Sequence, residues 1–304
     1  MNKIHLLLAF TLLSIKCTAQ NYFQQKVDYK IHVSLDDVRH TLSADETIIY
    51  TNNSPVPLNE IYIHLYPNAY KNTNTPLAQE YFNTGSDQLL TAAENDLGHI
   101  DSLSFSVDGK LANWNLLPDT IDIGKIKLSS PLLPGKSITI STPFKIKIPS
   151  DQLSRLGHNG QAYFITQWFP KPAVFDKNGW NYFSYLDKGE YYSEFGSFDV
   201  TINLPANYVV GSTGELVDGI AELQWLNEKA KATASITTFP TSMEFPASEK
   251  ERKTLHYYQD NIHDFAWFAD KRWNVLKGEV ELPASKRIVV NIVLIIMQCF
   301  PFFF

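Results

Sequence analysis

Phe198-Asp199-Val200-Thr201-Ile202-Asn203-Leu204 alternates apolar and polar residues without interruption. Successive side chains of a strand point to opposite faces, so this stretch has one face for a core and one for water. The same period recurs at Tyr29 to Leu35, Ile61 to Leu65, Ser137 to Ile140 and Lys145 to Ile148. Turn chemistry separates these runs: Asn52-Asn53-Ser54-Pro55, Val107-Asp108-Gly109-Lys110, Leu133-Pro134-Gly135-Lys136 and Asp176-Lys177-Asn178-Gly179. Antiparallel-type alternation at this spacing predicts an all-β fold, either a β-sandwich or open curved sheets. One or two short helices are expected, with Asn261 to Arg272 as a candidate because Ile262, Phe265, Ala266 and Ala269 share roughly one helical face. Residues 71–98 are polar and irregular and read as a long excursion.

The 304 residues are 44% hydrophobic, enough to bury a sizeable core, and the abundance of Tyr and Phe argues against disorder of the whole chain. A formal charge of −6 gives no support for a nucleic-acid partner, which calls for a basic face. At the N-terminus, Lys3 precedes the apolar run Leu6 to Leu13, and Cys17-Thr18-Ala19 supplies small residues at −3 and −1. That pattern predicts a signal peptide over residues 1–19, hence an exported protein, periplasmic or secreted. Lipidation at Cys17 is disfavoured by Lys16 before it. Losing Cys17 leaves only Cys299, so no intrachain disulfide is expected and stability must come from the core.

A β domain is expected over residues 20–286. From Arg287 the chain becomes Ile-Val-Val-Asn-Ile-Val-Leu-Ile-Ile-Met-Gln-Cys-Phe-Pro-Phe-Phe-Phe. This apolar tail, 287–304, has two readings: an aberrant end such as a frameshift, or a membrane anchor near the lower length limit. Membrane association depends on the second.

Complete catalytic signatures are missing from the sequence. No two of the eight histidines are four apart, so there is no His-Glu-x-x-His zinc helix. Gly211-Ser212-Thr213-Gly214 is not a nucleophile elbow and reads as a turn after a strand ending at Val210. No phosphate-binding loop or dinucleotide fingerprint occurs. His32 and His64 alternate with apolar neighbours and read as ordinary strand-face residues.

The informative segment begins at Tyr163: Tyr-Phe-Ile-Thr-Gln-Trp-Phe-Pro-Lys-Pro-Ala-Val-Phe-Asp176. An aromatic-rich loop follows, then Glu194-Phe-Gly-Ser-Phe-Asp-Val-Thr-Ile-Asn-Leu-Pro-Ala-Asn-Tyr-Val-Val-Gly-Ser-Thr-Gly214. Together with Val27 to Ile31, Tyr50 to Ser54, Ile61 to Pro67 and His263-Asp-Phe-Ala-Trp-Phe-Ala-Asp270, this ordered set resembles the N-terminal domain of M1-family zinc aminopeptidases, notably their exported bacterial branch. The resemblance spans about residues 22–287. It implies a curved-sheet β domain of that type and a parent reaction that hydrolyses N-terminal amino acids from peptides. The zinc of that reaction sits in a catalytic domain that this chain lacks, so no cofactor is expected here and the chain is expected to be inactive alone. Ser242-Met243-Glu244-Phe245-Pro246 is similar to the family's amine-gripping segment but lacks its glycine and comes too early, so it reads as a loop.

One contact to a peptide substrate's N-terminus is implied within this chain. Gln167 matches the N-terminal-domain Gln or Glu that binds the substrate α-amine in the family. A polar strand residue satisfied by neighbouring backbone is the competing reading. Phe169-Pro170-Lys171-Pro172 departs from the family's usual run here, which leaves the register open. A different class of function is also open: Trp168, Trp180, Tyr182, Phe183, Tyr185, Tyr191, Tyr192 and Phe195 could make a stand-alone module that stacks on glycan or clamps peptide.

Overall fold

The strand that decides the fold is Gly196–Pro205, with Phe198, Val200, Ile202 and Leu204 wholly buried at alternate positions. It runs parallel to Lys26–Asp36, pairing Tyr29 with Phe198 and Val33 with Ile202. The computed structural model describes residues 22–118, 120–189, 191–238, 242–282 and 286–294. The expected signal peptide, both cysteines and the last ten residues lie outside them.

These two strands are the centre of a nine-stranded sheet. Its order is Glu215–Val217, Arg252–Ile262, Gly196–Pro205, Lys26–Asp36, Thr41–Thr51, Ser137–Lys147, Ser106–Val107 and Lys110–Leu111, with His99–Asp101 also on Ser137–Lys147. Close approach at the centre needs a glycine. A Cβ on Gly196 would lie 1.8 Å from the Val27 carbonyl oxygen, at the bulge between Gly196 and Phe198.

Two four-stranded sheets complete the core. One orders Gly157–Asn159, Ala162–Ile165, Trp267–Asp270 and Val209–Ser212; the other orders Lys171–Pro172, Leu58–His64, Ile123–Leu132 and Asn113–Leu116. Buried side chains of all three sheets form one continuous cluster. Aromatic rings join them: Tyr29 meets Phe169 at 5.3 Å and Phe144 meets Trp168 at 6.0 Å between ring centres. Offset and edge-on rings of this kind add about 0.5–1.5 kcal/mol each beyond their area.

The all-β expectation holds, and the turn at Asp108-Gly109 is a two-residue hairpin with both residues at positive φ. Several local expectations are corrected. Ser137–Lys147 is one strand that runs through Pro143. Asn261 to Arg272 is not helical: Arg252–Ile262 and Trp267–Asp270 are strands. Its apolar residues also fit period two, and Phe265, Trp267 and Ala269 are the ones fully buried.

The helix instead spans Ile220–Ala234, built from Ala, Glu, Gln, Leu and Lys, which favour helix without marking an apolar stripe. Only Glu222, Leu226 and Thr233 are buried on it, so period analysis has little to find. Within the excursion 71–98, Pro76–Asn83 is a helix capped by Thr75, whose hydroxyl accepts from Ala78 N at 3.1 Å. His64 is wholly buried rather than an alternating face residue, because Ile61 to Tyr70 are all buried in succession.

At the C-terminal end, Asn274–Leu282 pairs with Lys286–Leu294 in an antiparallel hairpin. The paired chain therefore continues across residue 287. No helix among the described residues is long and apolar enough to cross a membrane.

Candidate functional site

The strand Ala162–Ile165 ends against Trp267, and the chain then crosses from one four-stranded sheet to the other, re-entering at Lys171–Pro172. Thr166 to Pro170 form the crossing. Its anchor is Trp168, fully buried, whose indole N–H donates to the Phe265 carbonyl at 3.1 Å. Phe169 beside it packs edge-on against Tyr29 and Phe198. Two successive large aromatics pointing into the core leave the preceding backbone little freedom.

Gln167 absorbs the consequence. Its φ is +50°, in the left-handed region that costs a non-glycine residue about 1–3 kcal/mol. It is only 8% exposed, and its side-chain carbonyl Oε1 has no hydrogen-bond partner. The Thr166 hydroxyl is also buried without a partner. A buried acceptor left unpaired costs about 1–3 kcal/mol more. Strain and an unmet acceptor on one residue mark a position not shaped by stability alone. The competing expectation, a glutamine satisfied by neighbouring backbone, is not met at Oε1.

The surroundings are charged and dry. Lys171 is 2% exposed; its Nζ lies 3.2 Å from Asp264 Oδ1 and donates to Ser193 Oγ at 3.2 Å. Its ammonium also stands 5.4 Å from the Phe169 ring centre. Lys171 thus fastens the end of the crossing to the loop before Gly196–Pro205 and to the segment before Trp267–Asp270. A lysine between two prolines in an aromatic run was the one sequence signal of this pairing, since a charge buried there needs a counter-charge.

Burial disfavours the charged form of two neighbours. His64, opposite Lys171 across the strand pair, is driven down to about 3 by desolvation, with the Lys171 charge adding to it. Glu194, next to Ser193, is pushed up to about 7 by desolvation, partly offset by the backbone N–H groups of Gln25 and Phe175. One oxygen of Glu194 is unpartnered. Deeper in the large sheet, burial raises Glu46 well above the carboxylate range, and neither of its oxygens has a partner. Neither glutamate was singled out from sequence, because alternation treats both as strand or loop polar residues.

The other sequence candidates divide. Ser242 to Pro246 lies outside helix and strand in its described part, with the Arg272 guanidinium 3.7 Å from the Phe245 ring centre and donating to the Met243 carbonyl at 2.9 Å. Of the eight aromatics in the dense stretch, Trp168 and Tyr185 are buried. Trp180 packs on Phe175 and Tyr62, and Tyr191 on Tyr66 and Tyr185. Tyr182, Phe183, Tyr192 and Phe195 are 39–46% exposed. Among the described residues no group of three His, Cys, Asp or Glu side chains could hold a metal ion.

The molecule is thus an all-β domain with a strained, acceptor-bearing crossing and no metal cluster among its described residues. No protein-family model matches the chain, and no curated protein does. Among solved structures, it is similar to a mutant M1 zinc metallopeptidase from Deinococcus radiodurans, at 12% identity and a TM-score of 0.49, over 89% of this chain and 47% of that one. A mutant of the metallopeptidase from the same organism bound to a Tyr-Ser-Ala substrate gives 13% identity and a TM-score of 0.48 over the same shares. The chain spans about half the length of the solved structures it matches.

Proposed function

We propose that this chain is the N-terminal β domain of an exported M1-type zinc aminopeptidase, without catalytic power of its own. In this reading Gln167 is its contribution to the active site. The Oε1 atom accepts a hydrogen bond from the α-ammonium of a peptide substrate, a pairing an amide oxygen is suited to make. In a dry site that bond is stronger than in water, and it removes the penalty of the unmet acceptor. The observation that carries the proposal is the coincidence of two facts at one residue. The motif resemblance makes Gln167 the best match to the family's amine contact, and Gln167 is the strained, buried amide whose Oε1 is unpartnered. Zinc, its water and the general base belong to a catalytic domain outside this chain. Export rests on the N-terminal sequence and is part of the proposal.

The test is direct. The purified chain is assayed with aminoacyl chromogenic substrates while its metal content is measured. No turnover and no stoichiometric zinc are expected; bound zinc together with turnover refutes the assignment.

The exposed rings of Tyr182, Phe183, Tyr192 and Phe195 favour one second reading, a stand-alone module for glycan or peptide. Tyr182, stacked on Tyr62 at 4.2 Å, is the platform to test, since Trp180 is packed into the core cluster. Glycan-array binding lost in Tyr182→Ala would establish that reading.

A further inference from the structure

Two imidazole rings lie face to face where the nine-stranded sheet meets the sheet that contains Ala162–Ile165. His40 ends the turn between the strands Lys26–Asp36 and Thr41–Thr51, and His158 is the middle residue of the strand Gly157–Asn159. Their ring centres are 3.8 Å apart and their planes differ by 7°. Both residues are half-buried. The φ of His40 is +53°, in the left-handed region, so this turn is held by its contacts rather than by local preference.

The hydrogen bonds fix where each ring carries its hydrogen. His158 Nδ1 lies 3.1 Å from the Gly160 carbonyl, which can only accept, so Nδ1 is the donor and Nε2 is left to titrate. His40 Nδ1 lies 2.9 Å from Tyr163 OH, which itself donates to the Asp37 carbonyl at 3.3 Å. With that hydroxyl proton committed, His40 Nδ1 donates to the Tyr163 oxygen, and Nε2 is again the site that titrates. Charged groups face the pair from several elements. Asp36 and Asp37 on the turn favour a charge on His40; Asp151 and Asp96 favour one on His158, and Lys147 opposes it. Desolvation outweighs the carboxylates at both rings, and at His40 the His158 charge adds to it, so both lie below the ordinary histidine value of 6.5.

We propose that the His40–His158 stack is an acid-sensitive latch between these two sheets. While both rings are neutral they stack without repulsion. One charge beside the two aspartates is tolerated; two imidazolium ions face to face are not. The second proton drives the rings apart and frees Gly157–Asn159 from the turn. The closed latch binds protons less readily than histidines exposed to solvent. Its stability is therefore fully present above the ordinary value of 6.5 and is lost as pH falls through the lowered pKa values of the pair. The same turn carries Asp37, whose carboxylate accepts from Tyr208 OH at 2.9 Å, so opening the latch loosens the joint between the sheets.

Three amides read the latch directly. Ile148 N–H donates to the His40 carbonyl at 2.9 Å, Asp151 N–H to the His158 carbonyl at 3.0 Å and His158 N–H to the Pro149 carbonyl at 2.9 Å. Hydrogen exchange on the full chain at about pH 7.5 and about pH 5, corrected for the intrinsic pH dependence of exchange, tests the proposal. Protection of these amides is expected to fall roughly tenfold or more at the lower pH, while the amides of Gly196–Pro205 keep theirs. His158→Phe keeps a flat ring in the stack and leaves one ionisable partner. His40→Asn removes the other ionisable ring and suits a left-handed backbone. Each substitution is expected to abolish the acid response. Unchanged protection in the wild type, a wild-type-sized loss in either variant, or an equal loss across Gly196–Pro205 would each overturn the proposal. So would an NMR titration in which both rings protonate independently at the ordinary histidine value.

Discussion

Two glutamines flank the strand Ala162–Ile165, and they are used in opposite ways. Before the strand, Gln161 has both ends of its amide engaged. Its Nε2 donates to Asp37 Oδ2 and to the Asp37 carbonyl, each at 3.2 Å, and its Oε1 accepts from Lys271 Nζ. The Asp37 carboxylate also accepts from Tyr208 OH at 2.9 Å and from Ser248 Oγ. Lys271, whose side chain is wholly buried, donates to Ser248 Oγ at 2.9 Å and lies 4.0 Å from Asp37 Oδ2. This node ties the turn after Lys26–Asp36 to the second sheet and to the loop at Ser248. After the strand, Gln167 is twisted to φ +50° with an unmet acceptor. The first glutamine holds the sheets together. The second carries backbone strain and a buried acceptor that nothing in the described fold satisfies.

The largest effect should come from breaking the satisfied node. Asp37→Ala leaves Lys271 buried without its counter-charge and strips acceptors from Tyr208 and Ser248. A loss of about 3–5 kcal/mol is expected in urea unfolding. A loss below about 1 kcal/mol would show that the node holds nothing, and the contrast would fail.

Next in size is a pH effect on the Gln167 side of the comparison. Glu194 has its folded-state pKa raised from 4.5 to about 7. The folded state therefore binds the proton more tightly than the unfolded one. The associated stability is fully present below about pH 4.5 and is lost as pH rises through 7, a swing of about 3 kcal/mol. Glu194→Gln, neutral at every pH, should remove that swing and be the more stable protein above pH 7. Parallel pH profiles of wild type and variant would remove Glu194 from the account.

The extent to which all this was legible in sequence follows from the range of the interactions. Period two marked Phe198–Leu204 and Tyr29–Leu35 because burial on one face is a local pattern. Ser137 to Ile140 and Lys145 to Ile148 stood out as two runs, and the single strand Ser137–Lys147 tolerates the missing N–H of Pro143 between them. Ile262 to Ala269 misled because its apolar spacing fits both periods. The Asp37 node was not legible at all: its partners lie more than a hundred residues away along the chain. Gln167 stood out only through the family resemblance. Its backbone strain comes from Trp168 and Phe169 being drawn into the core, and its unmet acceptor is a property of the assembled sheets.

The most direct test sets the two glutamines against each other in urea unfolding of Gln161→Ala and Gln167→Gly. Gln161→Ala removes three part-buried bonds from the node and should cost about 2 kcal/mol. Gln167→Gly relieves the left-handed strain and deletes the unmet acceptor; after the entropy cost of glycine it should gain about 1 kcal/mol. Opposite signs are the predicted result. If Gln167→Gly destabilises the chain by as much as Gln161→Ala does, Gln167 is a structural residue and its proposed role at a substrate amine is contradicted.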